Sequence, residues 1–311
     1  MEKILVTGGA GYKGSILIPM LLDRGDKVIC YDNFLFGPSP LLHFVTHPNF
    51  EVVEGDVRDV NKLSVQVRKA DTIIHLAGIV GFPACASDPD RANTVNVNGS
   101  LNLAMSMSKL QRLLYASTGS VYGSVNGTCT EESETGPLTI YGKNKLESER
   151  IFIDRLDNWV MFRFATVFGI SPRLRADLLI NDFVHQAIHN KQIVMYEGHH
   201  RRTFVHIKDC ASVYPFALDH WDEMRGEIYN VGDDRGNYTK KEVADQILKH
   251  VDYYLHEADI GEDLDKRDYT VNYEKIHKLG YEAEVSVEEG VKELVKVMSF
   301  VRYHNPWRNH G

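Results

Sequence analysis

The chain has 311 residues, 43% of them hydrophobic, and carries 35 basic against 43 acidic side chains for a formal net charge of -8. That length and apolar content suit a folded globular protein of one large or two smaller domains. The acidic balance, without a basic face, excludes nucleic acid as the main partner, and no stretch approaches the roughly 20 apolar residues of a membrane span.

In chain order, β-rich runs fall at Lys3–Val6, Lys27–Tyr31, Phe50–Val53, Thr72–Ile74, Leu113–Tyr115 and Trp159–Phe162. Helical patterns lie between or beside them at Ser15–Arg24, Asn61–Lys69, Ala92–Lys109 and Tyr141–Arg155. Such alternation predicts βαβ units and a doubly wound parallel sheet of Rossmann type, with ligands at the loops that follow the strand ends. After about Gly169 the alternation fades: a Pro/Arg-rich loop (Ser171 to Arg175) leads into helices expected at Leu178–His189 and Ser286–Tyr303, the latter with Ser286 as N-cap. The expected division is a dinucleotide-binding domain over 1–169, with a return segment near 208–232, and a smaller C-terminal α/β substrate lobe over 170–311.

The first residues run from Met1 to Val6 straight into glycines, without the apolar region and cleavage site of a signal peptide, so the expected location is the cytoplasm. Cys30, Cys85, Cys129 and Cys210 are far apart and form no Cys-x-x-Cys pair, which predicts buried, reduced thiols and no metal site. The cluster His199-His200-Arg201-Arg202 is a place where a small anion can bind.

The run Thr7-Gly8-Gly9-Ala10-Gly11-Tyr12-Lys13-Gly14 follows the first strand and opens a helix. Glycines there allow a tight turn and let the backbone approach a pyrophosphate, whose charge rests on the helix N-terminus. Asp32 ends the second strand, where a carboxylate accepts hydrogen bonds from ribose hydroxyls and repels a 2′-phosphate, favouring NAD over NADP. Tyr141 and Lys145, four apart on an expected helix, share one face, and an ammonium near a phenol favours the phenolate, making Tyr141 a usable base. Upstream, Ser117-Thr118-Gly119-Ser120 ends a strand and delivers hydroxyls into the cleft; Thr118 can share the proton that Tyr141 removes.

With these elements in order, the chain resembles the extended short-chain dehydrogenase/reductase family, in its NAD-dependent nucleotide-sugar epimerase/dehydratase branch. The resemblance implies NAD held by Gly8, Gly11, Tyr12, Lys13, Gly14, Asp32 and Asn33, by Asp56 and Val57 on the adenine side, and by Leu76, Ala77 and Gly78. It further implies cofactor roles for Asn96, Ser117, Tyr141 and Lys145, with Phe164 and Val167 beside the nicotinamide. For a nucleotide-diphosphate sugar it implies contacts from Val80, Gly81, Thr118, Ser120, Thr166, Leu178 and Asn181, with Arg202 and Arg267 on the diphosphate. A homodimer through the Ala92–Lys109 and Tyr141–Arg155 helices follows by the same analogy.

In that family the tyrosine takes the proton of the C4 hydroxyl while hydride leaves the carbon. The 4,6-dehydratases place an Asp-Glu pair after the threonine; here Gly119 and Ser120 stand there and neither can eliminate water. The expected reaction is therefore C4 epimerisation by transient oxidation, with a 4-dehydrogenase or 4-keto reductase as the rival. A catalytically silent NAD-binding regulator has no need of Thr118, Tyr141 and Lys145 together. Thr166 replaces the family's asparagine, and the Ile79–Cys85 loop departs from the pattern of galactose epimerases.

Overall fold

A parallel strand buried on both faces needs apolar side chains at nearly every position, and the runs of the first half supply them. In the computed structural model, which describes residues 1–125, 127–258 and 270–301, they form a regular alternation with helices. It begins β1 (Lys3–Thr7), α1 (Gly14–Asp23), β2 (Lys27–Asp32), β3 (Phe50–Glu54), α2 (Val60–Val67) and β4 (Thr72–His75). There follow α3 (Phe82–Ser87), α4 (Pro89–Asn93), α5 (Gly99–Ser106), β5 (Arg112–Thr118), β6 (Thr128–Cys129), α6 (Ile140–Arg155), β7 (Trp159–Phe164) and β8 (Thr166–Phe168). Next are α7 (Leu179–His189), β9 (Gln192–Met195), β10 (Arg201–His206), α8 (Ile207–Asp219), α9 (Trp221–Met224), β11 (Glu227–Val231), β12 (Asn237–Thr239) and α10 (Lys240–Leu248). Last come β13 (Tyr254–Glu257), β14 (Thr270–Val271), α11 (Glu274–His277) and α12 (Val287–Met298).

Among the described residues seven strands make one parallel sheet in the order β11-β7-β5-β4-β1-β2-β3. This is a Rossmann-type doubly wound α/β fold. The strand order reverses beside β1, whose neighbours are β2 and β4, and that switch point opens a crevice at the strands' carboxyl ends. Each expected strand of the first half forms and runs further than its apolar core, because the ladder continues into the polar residues Thr7, Asp32, His75 and Thr118 at the sheet's working edge. The last strand, β11, arrives from far along the chain and pairs with β7 from Glu227↔Val160 to Val231↔Phe164.

Core side chains fill both faces. Leu17, Ile18 and Leu21 of α1 pack with Tyr214 and Ala217 of α8 on one face, and Leu63, Leu103 and Phe152 of α2, α5 and α6 on the other. A third buried cluster joins Val184, Ile193, Phe204, Val243 and Leu294 of the later elements. All four cysteines are buried and free. Among the described residues no helix is long and apolar enough to cross a membrane, and no group of three or more His, Cys, Asp or Glu side chains is placed to hold a metal ion.

The helix expected over Ala92–Lys109 needs correction. It starts earlier, at Pro89, where the Asp88 carboxylate accepts from the Arg91 amide at 3.0 Å, and it ends at Ser106. It also carries a π-helical turn at Thr94–Asn98. The turn places Asn96 across the Ile79 peptide, with Oδ1 accepting from Ile79 N at 2.7 Å and Nδ2 donating to Ile79 O at 2.9 Å. In α12, Ser286 is the N-cap of a capping box with Glu289, and the helix stops at Met298; Tyr303 lies outside the described residues.

Candidate active site

The crevice is a cleft of about 520 Å³ that runs from the ends of β1 and β2 to the end of β5. At its floor Gly8 has φ +71°, and a Cβ there would stand 2.6 Å from Ala77 N. At Gly14 a Cβ would stand 2.4 Å from Gly9 O. The turn therefore admits no side chain at either position and leaves its backbone open to a ligand. Gly11, Tyr12 and Lys13 line the same floor, and Asp32, Asn33, Asp56 and Val57 line the far end.

Asp32 accepts from Ala10 N at 3.0 Å and from Phe34 N at 2.8 Å, while burial pushes its carboxyl up from the usual value. Two of its four lone-pair positions remain for ribose hydroxyls. Asp32→Ala is expected to weaken NAD about tenfold or more, the worth of a charged hydrogen bond, and to leave NADP nearly unchanged; equal losses in binding titrations would refute the assignment. Asp56 is occupied: Arg58 donates to it through N, Nε and Nη2, with Asn33 Nδ2 adding a bond at 3.1 Å. These donors hold its carboxyl well below the carboxylate range, Arg58 being the main cause.

At the other end Thr118, Ser120 and Tyr141 line the cleft with Phe164, Thr166, Val167 and Leu178. Thr118 Oγ1 accepts from Ser120 N at 3.2 Å, closing the turn that ends β5. Tyr141 lies in the first turn of α6, which starts at Ile140 because the Thr139 hydroxyl accepts from Gly142 N at 3.1 Å. Lys145, one turn on, is 3% exposed and donates to Ala116 O at 2.7 Å. Burial pushes its ammonium down to about 7, with the charge of Lys13 adding to the fall.

Unfolded, that lysine keeps its proton to about pH 10.4; folded, it releases it near pH 7, so the unfolded chain binds more protons between these values. The penalty for burying the charge is complete below pH 7 and fades as pH rises. Lys145→Met should therefore melt above the wild type near pH 6, with the gap closing toward pH 10. A constant gap in thermal melts across this range would contradict the depressed pKa.

Other sequence-predicted residues support the site from behind. The Ser117 hydroxyl, beside the cleft, is committed to Glu149. Asn96 clamps Ile79, which joins Leu76, Ala77, Gly78, Val80 and Gly81 in the wall. Asn181 is fully buried and bonds Arg175 O at 2.8 Å and Gly169 N at 3.0 Å, so it holds a loop and is not itself in the wall. Arg202 is buried in β10 opposite Tyr238 and is likewise outside the wall. Arg267 lies outside the described residues. The wall also holds Arg175, from the stretch Arg175 to Asp182 that the sequence sets over the nucleotide, and the side chains of Phe36, Thr139 and Arg173, which sequence reasoning overlooked. The signal was the spacing Arg173-x-Arg175-x-Asp177, which sets two guanidinium groups and a carboxylate in one short loop.

A parallel-sheet crevice with a closed glycine turn, a strand-end carboxylate and a Tyr/Lys pair defines a dinucleotide-dependent enzyme. Residues 4–232 match the family described as NAD dependent epimerase/dehydratase family. A putative UDP-glucose 4-epimerase from Methanocaldococcus jannaschii is 27% identical over 308 residues, covering 95% of this chain and 98% of its own. Among solved structures, the UDP-glucuronic acid 4-epimerase from Bacillus cereus, in complex with UDP-glucuronic acid and NAD, superposes with a TM-score of 0.83 at 25% identity, covering 95% and 98%. The dTDP-glucose 4,6-dehydratase DesIV from Streptomyces venezuelae gives 0.85 at 27%, covering 94% and 96%. The chain belongs to the NAD dependent epimerase/dehydratase family, with NAD as its cofactor. The closed turn at Gly8 and Gly14 and the partly free Asp32 carboxylate fit that cofactor.

Proposed function

We propose that the protein is a nucleotide-sugar 4-epimerase. The observation that carries this reading is the composition of the reaction end: Thr118 and Tyr141 line one cleft, and the two positions after Thr118 offer no carboxyl group. Glu149, the carboxylate that reaches β5, is held by Ser117 and Arg163 and is not available to remove or supply a proton on the sugar. Tyr141 takes the proton of the C4 hydroxyl and later returns it, Thr118 holds the same hydroxyl oxygen, and Lys145 orients the tyrosine's surroundings from Ala116 O. Bound NAD supplies a reversible hydride acceptor. The names of the similar proteins support the reading in part, since epimerases and a dehydratase both occur among them.

In this reading Gly8, Gly11, Gly14 and Asp32 hold the cofactor, and the region after Gly169 holds most of the sugar nucleotide, Leu178 included. The pairing of α5 with α6 forms a homodimer face; a monomer in light scattering would remove that part. The main test incubates the NAD-loaded protein with UDP-, GDP-, CDP- and dTDP-sugars and reads products by NMR. An epimer without net NADH supports the proposal. Stoichiometric NADH or a reduced sugar points to the dehydrogenase or reductase, and a 4-keto-6-deoxy product overturns the argument from Gly119 and Ser120.

A further inference from the structure

The glycine turn is tied to the loop that follows β8. Tyr12 donates its hydroxyl to Gly169 O at 2.6 Å, and Ser171 donates to Tyr12 O at 2.8 Å. Asn181 then fixes the backbone of Arg175. These bonds carry Arg175 over the cleft, where its Nη2 would lie 3.6 Å from a Cβ built on Gly81. Asp177 braces the guanidinium, accepting from Nε at 3.0 Å and from Nη2 at 2.5 Å. That pairing uses one edge of the fork and leaves the Nη1 edge for a ligand.

Lys13 lines the same cleft. Its ammonium stands 3.4 Å from the centroid of the Phe164 ring, and Phe164 is the cross-strand partner of Thr118. Among the described residues no carboxylate pairs with it. Burial lowers the pKa of Lys13; Cys210, in hydrogen-bond contact with it, opposes the fall, and the charge of Arg175 adds to it. Lys13 and Arg175 thus share the cleft, with Asp177 paired to Arg175. Confined positive charge is costly until an anion enters.

Two anions could fill this need: the diphosphate of the sugar nucleotide, or a charged group on the sugar ring. Arg175 lines the same cleft as Thr118 and Tyr141 and reaches Gly81, in the loop after β4 that the resemblance sets against the sugar, so its free edge faces the sugar side of the cleft. We propose that the sugar accepted here is a uronate, its ring carboxylate received by the free edge of Arg175 in the positive potential of Lys13. This rests on the reading that a nucleotide sugar reacts at C4 in this cleft.

The test uses NAD-loaded protein and the nucleotide base selected by the product panel. Affinities are compared by calorimetry for three ligands: the nucleotide-glucuronate, the matching nucleotide-glucose and the bare nucleoside diphosphate. The wild type is expected to prefer the uronate by about 10- to 100-fold, the worth of a charged hydrogen-bond pair. Arg175→Met should erase that preference while leaving the affinity for nucleoside diphosphate within about twofold, and Arg175→Lys should restore part of it. Retained NAD in each variant reports that the site is folded. A wild type that binds the neutral sugar as well as the uronate overturns the proposal. So does an Arg175→Met variant that weakens all three ligands alike, because that outcome places the arginine on the diphosphate. A protein that turns over no nucleotide sugar at all fails the underlying function instead.

Discussion

Tyr141→Phe is expected to abolish turnover, by at least the ~10²- to 10⁴-fold that a positioned acid–base group contributes, while NAD stays bound. The substitution keeps the ring and removes one hydroxyl, so the packing of the first turn of α6 and its Thr139 cap survive. Thr118 and Ser120, which line the cleft with Tyr141, carry only aliphatic hydroxyls and cannot take over the role of base. Product NMR gives the rate and fluorescence titration gives cofactor affinity. Wild-type turnover in the variant would sink the proposed chemistry, and lost NAD binding would make Tyr141 a cofactor-holding residue first.

Glu149→Ala is expected to have the largest effect on stability, about 3–5 kcal/mol, the cost of leaving one member of a buried ion pair without its partner. Glu149 on α6 receives Nη2 of Arg163 at 2.8 Å and Nε at 3.1 Å, and both side chains are almost wholly buried, at 1% and 5% exposure. Arg163 Nη1 also donates to the Tyr122 hydroxyl at 3.3 Å, which donates onward to Asn230 Oδ1 at 2.6 Å. One carboxylate therefore anchors a polar chain that crosses β5, β7 and β11. Denaturant melts measure the loss, and an unchanged midpoint would show that water or a rearranged partner replaces the carboxylate.

The parts of the site that read directly from the sequence are those set by local periodicity. The glycine turn, Asp32 and the ends of β4 and β5 are fixed by where an apolar strand stops, and the four-residue step from Tyr141 to Lys145 is fixed by the helix. What did not read depends on tertiary packing. The direction of Lys13 is set by how α1 sits against α8 and Phe164. The partnership of Glu149 with Arg163 joins a helix to a strand 14 positions away. The π turn arises because Asn96 reaches the Ile79 peptide, a contact between segments that no periodicity announces. Arg202, which the family resemblance sets on the diphosphate, is buried in β10 opposite Tyr238, a placement that the sequence does not announce either.

The late arrival of β11 has a practical consequence for anyone who divides the protein. A fragment ending near residue 169 would leave β7 as a bare sheet margin, with the backbone groups of Val160 to Phe164 robbed of their β11 partners. Unprotected margins recruit other chains, so such a fragment should precipitate or swap strands rather than persist as a free cofactor-binding module. A split reporter or a transplanted nucleotide site built from this scaffold must therefore carry the 227–231 strand with it, by circular permutation or by co-expression.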